Sequence, residues 1–314
     1  VTHNELPVQY QIPQAMHAAM EFAKENPLEF KDWHAKSNSL IVLAAKTERE
    51  LYDFSLKLEK KGIKFARFYE PDVGYMLTSI AILPSDDTKK LCSCFGLAGK
   101  AQLPVVTERM ENLWNTVDKM LNCQQTSNIN MLQHGLSVRN HLFDLLDNET
   151  ENLSFEWRLP DWFLNNRAKI LKNMADRFTL GRYTVMHDCG KPDSLIVNKE
   201  SGSRSYPDHA RISKETWLSF SDDKLIAEFI GRDMDIHLLR PSELQEWLTS
   251  LEKDIKEKQL KISLKNFCVS LLIVALAEIH SNAMMFGGLQ SDSFKIKWKK
   301  IDKLGNLICN QLIP

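Results

Sequence analysis

Histidine and aspartate stand side by side at His187-Asp188, followed by Cys189, Gly190, Lys191 and Pro192. Such a pair offers an imidazole nitrogen and a carboxylate oxygen from one point of the backbone. Both are donors for a hard or borderline divalent cation. Gly190 and Pro192 predict that a helix ends here, which aims the two side chains into a cleft. Downstream, the helix predicted over 223–233 carries Ile226, Ile230 and Asp233 at i, i+4 and i+7, so Asp233 falls on the stripe that should be buried. A carboxylate there costs several kcal/mol unless it is paired, protonated or bound to a metal. A frayed, solvated helix end would relieve the same conflict, and Asp235 offers a second candidate two residues on.

The elements that must position these groups are mostly helical. From residue 106 onward, Met110 to Leu121 carries Met110, Leu113, Val117 and Met120 at helical spacing. Asn130 to Leu146 carries Leu132, Leu136, Leu142 and Leu145, with His134 and His141 seven apart on one face. A helix is expected from about Leu164 to Phe178, and a short one from Tyr183 into His187-Asp188. A polar, hairpin-like insertion follows at Asn198 to Arg204. Ser242 caps a helix to Glu252, Lys253 to Lys265 is a solvated helix or linker, and Phe267 to Ile279 is a buried helix too short to span a bilayer. At its end, His280 and Asn282 either line the cleft or cap the helix. Ser291 to Lys300 alternates, placing Lys295, Lys297 and Lys299 on one face and Phe294, Ile296 and Trp298 on the other. This row suits phosphate-backbone contacts, and an edge strand guarded by lysines reads the same way.

The first hundred residues follow another pattern. Pro13 to Lys24 is helical, Leu40 to Ala45 is β-prone, and Thr47 with Glu50 makes a capping box for a helix with the stripe Leu51, Phe54, Leu58. Gly62 stops it, and strands are expected at 64–69 and 78–83 around Pro71-Asp72-Val73-Gly74. The order α-β-α-β-β predicts a small α/β sandwich. The segment Gln14-x-x-His17-Ala18-Ala19, the strand 40–45, and Glu70-Pro71-Asp72-x-Gly74 followed by Leu77-Thr78-Ser79-Ile80-Ala81 resemble the archaeal/eukaryotic-type peptidyl-tRNA hydrolase family. The resemblance covers roughly residues 5–100. It places Asp72 and Thr78 on that family's active-site Asp and Thr, with His17 in its motif. Tyr10 stands where the family carries a lysine, and the loop between Asp72 and Thr78 is shorter. The resemblance therefore implies either an esterase or a retained tRNA-end docking role.

In the second half, His134, His187-Asp188 and Asp233, with Tyr206-Pro207-Asp208-His209 before the last, occur in an order that resembles the HD phosphohydrolase superfamily, H…HD…D. The form His187-Asp188-x-Gly190-Lys191 is similar to the HD domain of CCA-adding enzymes and related RNA-end phosphohydrolases. This resemblance spans about 110–245, with residues 148–161 as an insertion. It implies that His134, His187, Asp188 and Asp233 hold one or two divalent ions. Mixed imidazole and carboxylate donors suit Mn²⁺, Ni²⁺, Co²⁺, Fe²⁺ or Mg²⁺ better than structural zinc. Such an ion lowers the pKa of bound water and takes charge from a phosphoryl oxygen. Arg182 and Lys191 are candidates for holding the phosphate, although Lys191 also suits a helix C-terminus. His209 is a candidate second-metal ligand or general acid.

Composition sets the outer bounds. With 314 residues, 43% hydrophobic, 26% charged and a formal net charge of −1, the chain has material for two cores and no global attraction to nucleic acid or membrane. The six cysteines lack paired zinc spacing and are expected to be reduced, in a cytoplasmic protein with no signal-peptide core. The expectation is thus a two-domain α+β chain: a peptidyl-tRNA-hydrolase-like α/β module over 1–105 and a mostly helical HD module over 106–314. Its substrate would be a phosphoester, in the first instance an RNA end bearing a 2′,3′-cyclic phosphate or a 2′-phosphate. A free nucleotide or nucleotide second messenger is the nearest rival, and a non-catalytic RNA-binding protein or a peptidyl-tRNA hydrolase are others.

Overall fold

Two strands of aromatic and β-branched residues, 65–70 and 76–82, pair with three shorter ones into a five-stranded mixed sheet, and nearly everything later in the chain is helix. The computed structural model describes residues 1–37, 39–99, 104–126, 128–200 and 202–313, without the side chains of 104–106. The chain divides into two units, Val1–Val117 and Asp118–Pro314. The expected boundary at 105/106 lies inside the helix Pro104–Asn122, whereas the units divide at 117/118.

In the first unit the strands are β1 (Thr2–His3), β2 (Leu43–Ala45), β3 (Phe65–Glu70), β4 (Met76–Ile82) and β5 (Gly96–Leu97), in the order β3-β4-β1-β2-β5. Strand β1 runs parallel to β2 and antiparallel to β4. The helices are α1 (Val8–Glu25), α2 (Pro27–Lys36), α3 (Glu48–Lys60) and α4 (Asp86–Cys92), of which α1 and α3 pack on the sheet. Thr47 caps α3 by accepting from Glu50 N, while Glu50 Oε2 reaches back to Lys46 N rather than to the cap residue. Leu51, Phe54 and Leu58 are buried as their spacing requires, and Gly62 ends the helix at φ +64°. The expected strand over 40–45 shortens to Leu43–Ala45, because Leu40 and Ile41 remain exposed.

Helix α5 (Pro104–Asn122) contains the division between the units. The second unit continues with α6 (Met131–Asp147), α7 (Asp161–Lys172), α8 (Arg177–Met186), α9 (Lys191–Ser194) and the hairpin of β6 (Ile196–Val197) with β7 (Arg204–Ser205). It ends with α10 (His209–Phe220), α11 (Lys224–Gly231), α12 (Asp235–Leu238), α13 (Leu244–Glu257), α14 (Leu264–Ser281) and α15 (Asp292–Leu312). The helix expected over 164–178 is broken at 173–176, where Asp176 starts a new one by accepting from Phe178 N and Thr179 N. Helix α14 is long and apolar enough to cross a bilayer, yet 72% of it is buried inside this unit, and it forms the centre of the core against α6 and α15. All six cysteines are free.

One expectation fails outright. Residues 292–312 are helical, so Lys295, Lys297 and Lys299 do not form a row. Successive alternate positions lie about 200° apart on a helix. The face that packs is Phe294, Ile301, Leu304 and Ile308, and Ile296 is left 70% exposed.

Residues 148–157 are fastened to α6 by one carboxylate. Asp144 accepts from Asn148 Nδ2, Ser154 N, Phe155 N and Trp157 Nε1 at 2.8, 2.8, 3.1 and 2.9 Å. Burial raises its pKa, but these four donors outweigh burial and hold it below 3.8. A depressed carboxylate stabilises the fold above its unfolded pKa, and that contribution disappears as pH falls through the folded value. Asp144→Ala should cost about 3 kcal/mol at neutral pH and flatten the acid limb below pH ~4, as read by urea unfolding across pH.

Candidate metal centre

The site assembles around α8. Its last turn ends at Met186, so His187 and Asp188 leave the helix with their side chains directed inward, 1% exposed each. The turn needs Gly190 for space rather than for backbone freedom. Its φ is an ordinary −92°, but a Cβ there would overlap the backbone of Ser213 on α10. Gly190 N donates to Ser213 Oγ at 2.8 Å, and the Cys189 thiol donates to Ser213 O at 3.3 Å. This clamp joins the His-Asp turn to the helix that begins with His209.

Helix α6 supplies His134, 2% exposed, from behind a capping box between Asn130 and Gln133. The His134 and His187 rings meet edge-on with centroids 5.1 Å apart. His134 Nε2 lies 3.5 Å and His187 Nε2 3.2 Å from Asp188 Oδ2. Neither imidazole nitrogen makes a hydrogen bond although both are buried, and the buried carboxylate oxygen is met by the Lys191 ammonium at 2.6 Å. Buried ring nitrogens left in this state are rare, and two of them converging on a carboxylate describe a place for a cation. His187 Nδ1 is 2.8 Å from Thr184 O. A carbonyl can only accept, so Nδ1 carries a proton, and in the neutral ring the Nε2 lone pair then faces the cluster, the tautomer a ligand requires.

Asp233 follows α11 and is 4% exposed, its Oδ1 accepting from Tyr183 OH at 2.6 Å. Asp235 turns elsewhere, to Arg232 and Trp247 Nε1. The geometry therefore brings Asp233, not Asp235, into the electrostatic surroundings of His187. A further carboxylate, which sequence reading passed over, comes from α14. One oxygen of Glu278 and the ring nitrogens of His134 and His187 all lie within 4.8 Å of one another. His237 Nε2 lies 2.9 Å from Oε2 of that carboxylate.

Charge in the cluster is polarised. Burial pushes His134 down to about 4, helped by the neighbouring His187. Burial also works against a charged His187, but the carboxylates of Asp188 and Asp233 overcome it and raise the ring to about 10. Burial opposes ionisation of Asp188, yet His187 and Lys191 hold it well below the usual carboxylate range. The carboxylates thus require positive charge in their midst, which a proton on His187 or a divalent cation would supply.

At the rim, Lys191 Nζ sits 2.6 Å from Asp188 Oδ2 and 5.5 Å from the centre of the Tyr206 ring. His209 Nε2 lies 3.8 Å from Asp188 Oδ1, its Nδ1 facing Tyr206 O at 2.9 Å. The remaining candidates are placed elsewhere. Arg182 is buried with its guanidinium over Trp217. His280 is turned to the opposite side of α14 from Glu278: its Nδ1 faces Leu276 O and its Nε2 accepts from Arg158 N. His141 shares the face of His134 but lies about 10 Å further along the axis, stacked on Phe155.

In the first unit, Thr78 is fully buried and its hydroxyl donates to Gln14 Oε1 at 2.6 Å, while Gln14 Nε2 donates to Glu70. Asp72 is exposed in the turn after β3, and exposed His17 stacks on Phe68 at 4.8 Å. Tyr10 sets its edge against Trp114. A cavity of about 710 Å³ in this unit, lined by Phe22, Phe30, Trp33, Ile82 and Phe95, is lined by none of Asp72, Thr78 and His17. No family model, curated protein or solved structure matches the chain.

Proposed function

We propose that this protein is a metal-dependent phosphohydrolase of the HD type, in which His134, His187, Asp188 and Asp233 hold a divalent transition metal. The observation that carries the reading is the convergence of two buried ring nitrogens without hydrogen-bond partners, His134 Nε2 and His187 Nε2, on the Asp188 carboxylate. A bound Mn²⁺, Ni²⁺, Co²⁺ or Fe²⁺, or Mg²⁺, would activate water and withdraw charge from a phosphoryl group. The chain's own residues do the rest. Lys191 offers an ammonium at the rim for a phosphate oxygen while balancing Asp188. His209, fixed through Nδ1, presents Nε2 to deliver a proton to the leaving oxygen. Tyr183 donates to Asp233 and orients it.

The substrate proposed from the resemblance is an RNA end carrying a 2′,3′-cyclic phosphate or a 2′-phosphate, with residues 1–105 as a peptidyl-tRNA-hydrolase-like docking module in a cytoplasmic protein. Burial of Thr78 beneath Gln14 supports docking over esterase chemistry. Dispersal of Lys295 and Lys297 around a helix favours a second reading, a free nucleotide or nucleotide second messenger, which needs no extended phosphate track.

Chelator-stripped protein supplied with Mn²⁺ or Ni²⁺ should hydrolyse bis(p-nitrophenyl) phosphate, and the activity should vanish on renewed chelation. tRNA competing better than a mononucleotide, with a steep salt dependence, supports the RNA end; the reverse order supports the nucleotide. Metal at about 100 times its Kd should add roughly 2.7 kcal/mol to stability, equivalent to about 5–10 °C in Tm. A thermal melt that ignores Mn²⁺, Ni²⁺ and Co²⁺ alike would remove the basis of the proposal.

A further inference from the structure

Helix α14 is apolar on every side, and between Phe267 and Ser281 it carries a single charged residue, Glu278. A carboxylate in that position is expensive unless something specific receives it. His237 receives one oxygen at 2.9 Å. A carboxylate oxygen also lies within 4.8 Å of the buried ring nitrogens of His134 and His187. Those nitrogens have no hydrogen-bond partner, so Glu278 has not been drawn in to satisfy them.

Resting on the metal-centre reading above, we propose that Glu278 is itself a ligand of the cation, a carboxylate outside the His134, His187-Asp188, Asp233 series, held in position by His237. The donor set then consists of two imidazoles and three carboxylates. Three carboxylates and the Lys191 ammonium leave two negative charges, which one divalent ion neutralises with both imidazoles neutral. Five protein donors, three of them oxygen, suit Mn²⁺, Fe²⁺ or Co²⁺ in five- or six-fold coordination better than four-coordinate Zn²⁺. His237 is the positioning residue: it fixes the carboxylate before the ion arrives, as outer hydrogen-bond partners of metal ligands do.

The test is metal affinity of the full chain, measured by calorimetric titration of stripped protein with Mn²⁺ and Zn²⁺ separately. Glu278→Gln, which keeps an oxygen facing His237, should weaken Mn²⁺ at least 100-fold and Zn²⁺ by less, and His237→Ala should weaken Mn²⁺ roughly 10- to 100-fold. Stripped Glu278→Gln should melt no lower than the stripped wild type, whereas a purely structural role would lower it. Co²⁺-loaded wild type gives a second readout that needs no variant: the weak visible absorption of five- or six-coordinate cobalt is expected, and the intense band of a tetrahedral site would overturn the assignment. Unchanged Mn²⁺ affinity in Glu278→Gln, with loss of binding in His134→Ala and His187→Ala, refutes the role of Glu278 and leaves the metal centre standing. Retained binding in both histidine variants refutes the centre itself.

Discussion

Asp188→Asn is expected to lower metal-supported phosphodiester hydrolysis by about three orders of magnitude, on the scale of removing a principal charge-bearing group from an active site. The reason lies in how many groups this one carboxylate serves. Its Oδ2 faces Lys191 at 2.6 Å, His187 at 3.2 Å and His134 at 3.5 Å, and its Oδ1 faces His209 at 3.8 Å. Asparagine keeps the shape and one oxygen but loses the charge. The imidazoles then lack the anion that makes the position attractive to a cation, and Lys191 becomes a buried ammonium without its counter-charge. Breaking one side of a buried ion pair costs about 3–5 kcal/mol, so the stripped variant should also unfold at lower denaturant. The two readouts separate the causes. A variant that folds less stably but binds Mn²⁺ normally would mean that Asp188 serves Lys191 alone, and the carboxylate would have no part in the chemistry.

Much of this centre could be read from the chain because its donors violate local expectation. Asp233 is buried at 4% exposure as its spacing from Ile226 and Ile230 suggests, although the helix ends at Gly231 and Asp233 sits in the turn that follows it. Glu278 presents the same contradiction inside an even more apolar helix, and that signal was available. It was passed over because His280 and Asn282 stand at the same helix end and bear more familiar donor groups. Two residues along a helix is about 200°, so Glu278 and His280 cannot share a target. The lysine segment misled for a different reason. Over five residues, Phe294, Ile296 and Trp298 satisfy a period of two, whereas Phe294, Ile301, Leu304 and Ile308 disclose the helix only over a longer window. Strands β1 and β5, two residues each, carry no periodicity at all; their pairing is set by neighbours distant in sequence. Of the two caps read from the chain, Thr47 bonds the backbone of its own helix, whereas Ser242 lies in a 3-10 turn ahead of α13 and leaves that helix without a side-chain cap.

Gly135→Ala should disable the centre without altering any donor. Gly135 follows His134 on α6, and a Cβ at this position would overlap the carbonyl oxygen of Val185 and approach that of Thr184, both on α8. These are backbone atoms, so no rotamer change relieves the overlap; α6 and α8 must move apart. The same carbonyl of Thr184 fixes the ring of His187, so displacement disturbs both histidines together. A cost of about 3 kcal/mol is expected, as for overpacking against an unyielding neighbour, together with at least a tenfold loss of Mn²⁺ affinity. Gly231→Ala is the matched control. Its Cβ would meet Lys214 Cδ at 2.7 Å, a side-chain atom that can shift by rotamer change while Nζ keeps its ion pair with Glu228 at 2.6 Å. That variant should lose less than about 1 kcal/mol and keep its metal. Equal stability of the two variants by urea unfolding would show that α6 and α8 can separate freely. In that case the spacing of His134 from His187 would not depend on the missing Cβ, and close packing of the two helices would not be what sets the geometry of the centre.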